Sequence, residues 1–319
     1  MSDNTEKVRI GLIQHACPID STKQSNLEKA VAMIRKAAEQ GCDVVLTQEL
    51  FCAHYFPQVE DAALFDLAES IPGPTSKVLC NLARELGIEI LASLFERRTA
   101  GLYHNTSVVI DIQGQIIGKY RKMHIPDDPR FYEKFYFTPG DVPGDLHTDC
   151  HGNGEQGKDL PSSQERFAGW QVQSLRKIKT GTLICWDQWF PEAARLTVLR
   201  GAQLLVYPTA IGYAACETES ERMRQIDAWI TMQRSHSIAN GVFVAAINRV
   251  GVEEDLTFWG RSFVVDPGGQ VVAQASGSDE EVLVVELDLK EIEQARQGWP
   301  FLRDRRIDGY GDLLKRFVD

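Results

Sequence analysis

The sequence predicts an α/β layered fold with mixed β-sheets. Along most of the 319 residues, short apolar segments with strand-like patterns take turns with longer segments whose apolar residues recur at helical spacing. Two segments also resemble each other, Val-Ile-Asp-Ile-Gln-Gly-Gln-Ile-Ile at 109–117 and Val-Val-Asp-Pro-Gly-Gly-Gln-Val-Val at 264–272. Each is typical of a β-hairpin with a glycine-containing turn. The similarity indicates two related α/β halves that share one sandwich.

The elements of the first half follow in order from the apolar patterns. They are predicted at these positions: strand 8–12, helix 27–38, strand 44–46, helix 76–86, strand 88–95, and a hairpin of strands 106–112 and 115–122. Gly41 and Gly87 stand just beyond the two helical segments, where glycine commonly ends a helix.

The second half repeats this alternation. Its predicted elements are strand 177–186, helix 191–199, strand 204–207, helix 220–240, strand 242–247, and a hairpin of strands 263–266 and 270–275. Residues 142–168 interrupt the pattern, because they are rich in Pro, Gly, Asp and Ser and have almost no periodicity. We interpret them as a long inserted surface loop. His147, Asp149, Cys150 and His151 lie in this loop, but no second ligand cluster accompanies them, so no metal site is predicted.

Composition and charge exclude several classes of protein. The chain has 34 Lys and Arg residues against 45 Asp and Glu residues, a formal charge of −11, which opposes binding to nucleic acid or to an anionic membrane surface. It shows no apolar signal segment and no apolar run long enough to cross a bilayer. Seven cysteines without a CxxC pair do not form a disulfide pattern, so a reducing cytoplasm is expected.

Three chemically capable side chains stand at the carboxyl ends of predicted strands, namely Glu49, Lys122 and Cys185. Ligands of α/β sheets collect at such ends. Cys185 also directly precedes a predicted helix, whose free N–H groups favour a thiolate and a developing oxyanion. Taken singly, each residue has an ordinary structural interpretation: a salt-bridged carboxylate, a solvated strand end and a buried cysteine.

The residues around these three positions are far more specific. They form the segments Leu-Thr-Gln-Glu-Leu-Phe at 46–51, Lys-Tyr-Arg-Lys-Met-His-Ile-Pro at 119–126 and Ile-Cys-Trp-Asp-Gln-Trp-Phe-Pro-Glu-Ala-Ala-Arg at 184–195. In this order they closely resemble the nitrilase superfamily of carbon–nitrogen hydrolases, and the resemblance extends from Val8 to about Arg316. It implies one domain over 1–319, built as a four-layer αββα sandwich with two mixed sheets. It also implies a homo-oligomer, with the tail at 299–319 as a candidate subunit contact, and no metal or organic cofactor.

The resemblance assigns roles to the matching residues. Glu49 corresponds to the general base, Lys122 to an electrostatic clamp and Cys185 to the nucleophile. Glu133 corresponds to the second glutamate of the family, and we expect it to orient Lys122 or water. These roles suit thiolate attack on a planar carbonyl, which needs a base for the thiol proton and positive charge for the oxyanion. The backbone N–H of Trp186 is expected to add to that charge.

Four segments (49–52, 185–191, 207–212 and 299–306) are more specifically similar to the branch that hydrolyses N-carbamoylputrescine to putrescine, carbon dioxide and ammonia. A thioester intermediate is implied. The small cationic substrate calls for a carboxylate at the far end of the pocket, for which Glu217 is a candidate, although it equally suits a solvated helix start. Asp187 either lines the pocket or caps the following helix. Trp186 and Tyr213 are candidates for an apolar pocket wall or for core packing.

Two alternatives remain open from the sequence. The first is another amidase of the superfamily, acting on a carbamoyl amino acid or an ω-amide; a substrate carboxylate would then need an arginine such as Arg195 or Arg249. The second is a catalytically inactive relative that serves as a scaffold.

Overall fold

The computed structural model describes residues 6–142 and 168–319, in which strands and helices alternate as the sequence predicts. The strands are β1 (Lys7–Gln14), β2 (Val44–Thr47), β3 (Glu89–Thr99), β4 (Leu102–Ile110), β5 (Ile116–Arg121), β6 (Val172–Leu175), β7 (Ile178–Thr182), β8 (Leu204–Pro208), β9 (Gly212–Ala214), β10 (Phe243–Ile247), β11 (Val250–Glu253), β12 (Leu256–Trp259), β13 (Phe263–Val265), β14 (Val271–Gln274) and β15 (Glu281–Asp288). The helices are α1 (Lys23–Glu39), α2 (Pro74–Leu86), α3 (Glu133–Tyr136), α4 (Pro191–Leu199), α5 (Glu219–Asn240) and α6 (Lys290–Gly298).

Two six-stranded sheets share the same topology. Their strand orders are β15-β1-β2-β3-β4-β5 and β6-β7-β8-β10-β13-β14. In each sheet three consecutive strands are parallel, β1-β2-β3 in one and β7-β8-β10 in the other, and antiparallel strands flank them. The two hairpins whose sequences resemble each other, β4–β5 and β13–β14, occupy equivalent edges. The described residues therefore contain two topologically equivalent halves.

Apolar side chains fill the three interfaces between neighbouring layers of helices and sheets. One core cluster lies between the two sheets and joins residues such as Leu12 and Leu46 to Val206 and Ile247. A second packs α1 and α2 against the first sheet, and a third packs α4 and α5 against the second sheet. Side chains alternate between the two faces of each strand, so every sheet buries apolar residues on both sides. The predicted four-layer αββα sandwich with two mixed sheets is confirmed.

The helix ends follow the local chemistry of their sequences. Helix α4 has Pro191 at its first turn, where a missing N–H costs nothing. Helix α2 ends at Gly87, whose φ of 64° is the left-handed conformation that glycine adopts without strain. Helix α5 starts with a capping box between Thr218 and Glu221.

The strand predicted over 177–186 is wrong at its carboxyl end. Strand β7 ends at Thr182, and residues Cys185–Trp189 form a 3₁₀ turn instead. The backbone N–H of Ile184 donates to Asp187 Oδ2 at 2.9 Å, which turns the chain away from the sheet. Sequence patterns also gave no indication of the small sheet β11-β12-β9 that lies beside the two large ones.

Two expectations concern other parts of the chain. Nearly all of the predicted loop at 142–168 lies outside the described residues, as do His147, Asp149, Cys150 and His151. Within 6–142 and 168–319, no helix has the length and apolar character needed to cross a membrane.

Candidate active site

Two glutamates hold a buried lysine at the carboxyl ends of the strands. Lys122 Nζ lies 2.9 Å from Glu49 Oε1 and 2.7 Å from Glu133 Oε2, and all three side chains are fully buried. Glu49 follows β2, Lys122 follows β5 and Glu133 begins α3. The charges of these three residues also act on the Cys185 thiol. The structure therefore brings together the four residues that the sequence singled out.

The two carboxylates differ in what their oxygens contact. Glu49 Oε1 accepts from Asn105 Nδ2 at 2.7 Å as well as from Lys122. Glu49 Oε2 is buried and has no hydrogen-bond partner among the described residues. Both oxygens of Glu133 are occupied, because Oε1 accepts from the Tyr55 hydroxyl at 2.6 Å and Oε2 accepts from Lys122. Of the two, only Glu49 has an oxygen left to exchange a proton with another group.

Electrostatics keep the lysine charged. Burial opposes the charge on Lys122, but Glu133 and Glu49 outweigh it and raise the pKa of Lys122 above its usual value. Burial raises the pKa of Glu133 to about 7, even though Lys122 acts in the opposite direction. A cationic Lys122 at neutral pH suits the stabilisation of a negative charge.

Cys185 sits at the start of the 3₁₀ turn in an unusual backbone conformation. Its φ is +42°, a region that costs a residue with a side chain about 1–3 kcal/mol. The side chain is only 5% exposed, and Sγ lies 4.0 Å from the carbonyl oxygen of Ala210. Burial, together with the nearby Glu49 charge, raises the pKa of the Cys185 thiol well above its usual value, while Lys122 opposes the shift. The resting group is therefore a neutral thiol, which needs a base before it can attack.

Asp187 ties the cysteine turn to the segment that follows Lys122. Its Oδ2 accepts from the Tyr120 hydroxyl at 2.7 Å and from the Ile184 backbone. Its Oδ1 lies 3.0 Å from the backbone nitrogen of His124 and 2.7 Å from that residue's Nδ1. Asp187 is fully buried, and both of its oxygens are engaged by the protein itself.

The other predicted substrate contacts lie in less buried surroundings. Trp186 is half-buried in the cysteine turn. Tyr213, on β9, stacks against Trp259 and lies under the guanidinium of Arg222, whose Cζ is 4.5 Å from the ring centre. Glu217 is half-buried just before α5, where Oε2 accepts from Gln225 at 2.6 Å.

The two arginines considered for a substrate carboxylate both contact other parts of the protein, although Arg195 Nη1 has no hydrogen-bond partner among the described residues. Arg249 is fully buried and pairs with Glu253 at 2.9 Å. Its two terminal nitrogens also donate to backbone carbonyls of the segment that carries Glu49. Arg195 Nη2 donates to the carbonyl of Ala239 on α5 at 2.8 Å.

Tyr55 and Asn105 complete the site although no feature of the sequence indicates them. The Tyr55 hydroxyl donates to Glu133, and the Asn105 amide donates to Glu49, and in each pair the two residues are far apart in the sequence. Among the described residues, no group of three or more His, Cys, Asp or Glu side chains has the arrangement of a metal site.

The sequence profile of the carbon–nitrogen hydrolase family matches residues 9–297. An N-carbamoylputrescine amidase from Solanum lycopersicum is 38% identical over 323 residues, which cover 98% of this chain and 97% of that protein. A citrullinase from Francisella tularensis is 34% identical over 315 residues, 97% of this chain and 99% of that protein.

A solved structure shows the same similarity. The crystal structure of a carbon–nitrogen hydrolase from Helicobacter pylori G27 superposes with a TM-score of 0.86 at 42% sequence identity. The match covers 98% of this chain and 100% of that one. Profile, relatives and structure agree over nearly the whole length. The chain belongs to the carbon–nitrogen hydrolase family of the nitrilase superfamily and is a hydrolase of carbon–nitrogen amide bonds.

Proposed function

We propose that this hydrolase cleaves N-carbamoylputrescine to putrescine, carbon dioxide and ammonia through a thioester intermediate on Cys185. One observation carries the catalytic part of the proposal. The buried Cys185 thiol is within electrostatic reach of Glu49, whose Oε2 has no hydrogen-bond partner among residues 6–142 and 168–319, and of Lys122, whose pKa the two glutamates raise. A base and a cation around one sulfur are the groups that nucleophilic attack on an amide carbon requires.

The first half-reaction transfers the carbamoyl group to sulfur. Glu49 takes the Cys185 proton as the S–C bond forms, and the carbonyl oxygen becomes an oxyanion stabilised by Lys122 and the Trp186 backbone N–H. The C–N bond then breaks, and Glu49 returns the proton to the departing nitrogen. Because both Glu133 oxygens are engaged, Glu133 orients Lys122 and does not take part in this proton transfer.

The second half-reaction releases the product. Glu49 removes a proton from water, which attacks the same carbon and forms a C–O bond. The S–C bond breaks and the sulfur recovers the proton. The carbamic acid or carbamate that leaves decomposes to carbon dioxide and the remaining amine. Every proton in this sequence passes through Glu49, and Lys122 with the Trp186 N–H stabilises the oxyanion, so the proposed steps use no metal or organic cofactor.

The names of the relatives and the contacts of Arg249 support this substrate class. The tomato relative is named for N-carbamoylputrescine and the Francisella relative for citrulline. Citrulline is N-carbamoylputrescine with one added carboxylate on the carbon next to the terminal amine. Both terminal nitrogens of Arg249 already donate hydrogen bonds to Glu253 or to backbone carbonyls. Arg249 is therefore a poor partner for that carboxylate. The half-buried Glu217 is our candidate for the terminal ammonium, with Trp186 and Tyr213 beside it.

Steady-state ammonia release is expected to distinguish these substrates. We predict that kcat/KM for N-carbamoylputrescine exceeds that for citrulline by about 10- to 100-fold, because an unpaired buried carboxylate costs about 1–3 kcal/mol or more. N-carbamoyl-β-alanine and an ω-amide serve as further comparisons. Glu217→Gln is expected to raise KM for N-carbamoylputrescine with little change in kcat. A clear preference for citrulline or N-carbamoyl-β-alanine would contradict the substrate proposal.

We further propose a homo-oligomer in which the tail after Gly298 contributes to the subunit contact. The tail exposes several large apolar side chains, with Leu314 95% exposed and Phe317 79% exposed. A cavity of about 720 Å³ lies between this tail and helices α4 and α5. Contiguous apolar surface of this kind commonly marks a protein–protein contact.

The six cysteines within the described residues are all unpaired, which supports the proposal of a cytoplasmic location.

Light scattering on the purified protein tests the oligomer proposal. The wild type is expected to have a mass of at least two chains, and truncation after Gly298 is expected to lower it while circular dichroism stays unchanged. Leu314→Glu is a milder variant that should weaken the same contact. An unchanged mass for both variants would contradict a role for the tail.

A further inference from the structure

We infer that Arg249 is a positioning residue that fixes the general base Glu49 and, through Glu253 and Tyr55, also fixes Glu133. This inference rests on the proposed function. The observation behind it is a set of hydrogen bonds from one buried guanidinium to the turn that carries Glu49. Arg249 lies between β10 and β11, far along the chain from that turn.

The Arg249 guanidinium donates hydrogen bonds to three backbone carbonyls of the segment 49–53, which carries Glu49. Arg249 Nη2 donates to the backbone oxygen of Glu49 at 2.7 Å and to that of Leu50 at 3.2 Å. Nη1 donates to the backbone oxygen of Ala53 at 3.1 Å. Three carbonyls within five residues thus share one cation. The Leu50 oxygen also accepts from the Ala53 N–H at 3.1 Å, whereas the Glu49 oxygen depends on Arg249.

The segment needs such a support because it is strained. Leu50, directly after the base, has a φ of +48°, a conformation that costs a residue with a side chain about 1–3 kcal/mol. Such conformations persist where surrounding contacts determine them. Besides Arg249, the Ser93 hydroxyl holds this residue by accepting from the Leu50 N–H at 3.1 Å. The strained residue therefore has one fixed partner on its N–H and another on its carbonyl.

The same arginine reaches the second glutamate through a short chain of contacts. Arg249 Nη1 pairs with Glu253 Oε1 at 2.9 Å, and Glu253 Oε2 accepts from the backbone N–H of Tyr55. The Tyr55 hydroxyl in turn donates to Glu133 Oε1 at 2.6 Å. The Arg249–Glu253 pair thus supports both of the carboxylates that hold Lys122.

Several features make the arrangement rigid. Arg249 and Glu253 are 0% and 1% exposed, so solvent does not screen the pair. The guanidinium also lies 5.3 Å from the centre of the Phe258 ring, a favourable cation–π distance. A planar group with fixed donors holds several acceptors at once, which an ammonium group does less well.

The test compares Arg249→Met, Arg249→Lys and Glu253→Gln with the wild type. A small displacement of Glu49 is expected to slow catalysis without abolishing substrate binding. We therefore expect kcat for Arg249→Met to fall on the order of 100-fold while KM changes little. Glu253→Gln is expected to show a smaller fall in kcat, and Arg249→Lys is expected to recover part of the Arg249→Met loss.

A second readout needs no substrate. The rate at which iodoacetamide alkylates Cys185 depends on proton removal from the thiol by Glu49, so it should fall together with kcat in these variants. Glu96→Gln is the matched control. Glu96 is likewise a buried carboxylate paired with an arginine, Arg121 Nε at 2.7 Å. Its other hydrogen bonds are with Thr106 and Lys119, not with the four active-site residues. Thermal unfolding is measured for each variant to establish that it is folded. If Arg249→Met does not fold, the inference is tested with Glu253→Gln instead.

A parallel loss of kcat and of Cys185 alkylation in the test variants, absent in Glu96→Gln, would support the inference. Wild-type values in folded Arg249→Met and Glu253→Gln would overturn it. Equal losses in Glu253→Gln and Glu96→Gln would also overturn it, because any buried ion pair would then have the same effect. If Cys185 of the wild type is already slow to react, it is the proposed function that fails.

Discussion

Cys185→Ala is expected to abolish ammonia release from N-carbamoylputrescine while leaving the protein folded. The sulfur is the atom that becomes bonded to the carbamoyl carbon, and no other described group near Lys122 replaces it as a nucleophile. We expect a loss on the order of 10⁴-fold or more in kcat, as for the removal of other catalytic nucleophiles. Release of ammonia is measured with a coupled assay, and folding is checked by thermal unfolding.

Cys42→Ala is the matched control for this loss. Cys42 is also buried, at 4% exposed, but it packs in the layer of α1 against the first sheet. Each substitution removes one sulfur atom from the interior, so similar small losses of stability are expected. Turnover should persist in Cys42→Ala. Appreciable turnover in Cys185→Ala would contradict the assignment of the nucleophile.

Glu49→Gln is expected to have the second largest effect, and Glu133→Gln is its matched control. Both substitutions neutralise a buried carboxylate that contacts Lys122, and both preserve the size of the side chain. The base alone transfers protons in every step of the proposed reaction. We therefore expect kcat to fall by about 10³- to 10⁴-fold for Glu49→Gln and by about 10- to 100-fold for Glu133→Gln, comparable to the loss of a positioning contact.

The comparison separates the two roles because the change of charge is the same. A similar loss in both variants would mean that the charge balance around Lys122 matters and that the identity of the base does not. A larger loss in Glu133→Gln would reverse the assignment. Since Glu133 has a pKa of about 7, the wild-type and variant rates should be compared at pH 8 or above, where its carboxylate is mostly ionised.

The sequence predicted the regular parts of the fold well. Helix α4 was expected over 191–199 and is found at Pro191–Leu199, because a proline at its first turn and a glycine after its end mark both limits. The similar hairpins at 109–117 and 264–272 do occupy equivalent sheet edges. Turn residues and the spacing of apolar residues are local features, so they can be recognised in a single sequence without knowledge of the fold.

Features created by contacts between distant segments were harder to predict. The apolar run before Cys185 looks like a continuous strand, yet the Asp187 side chain captures the Ile184 N–H and ends the strand early. Strands β9, β11 and β12 have only three or four residues, too few for a periodic pattern.

The same limitation applies to the site. Glu49, Lys122, Glu133 and Cys185 were identified through motifs, but Tyr55 and Asn105 lie outside those motifs and approach the carboxylates only in the folded chain. Arg249 was considered as a ligand for a substrate carboxylate. Its actual contacts depend on where Glu253 and the turn after β2 lie, and these positions follow from the packing of the two sheets.

The most direct test of the central claim is the rate at which iodoacetamide modifies each cysteine of the wild-type protein, resolved by peptide mass mapping. Cys216 is exposed, whereas Cys185 is 5% exposed and has a raised pKa, so an unassisted Cys185 would react far more slowly. We predict that Cys185 reacts first and that ammonia release declines in proportion to its modification. Full modification of Cys216 while Cys185 stays intact would contradict a thiol activated by Glu49 and Lys122.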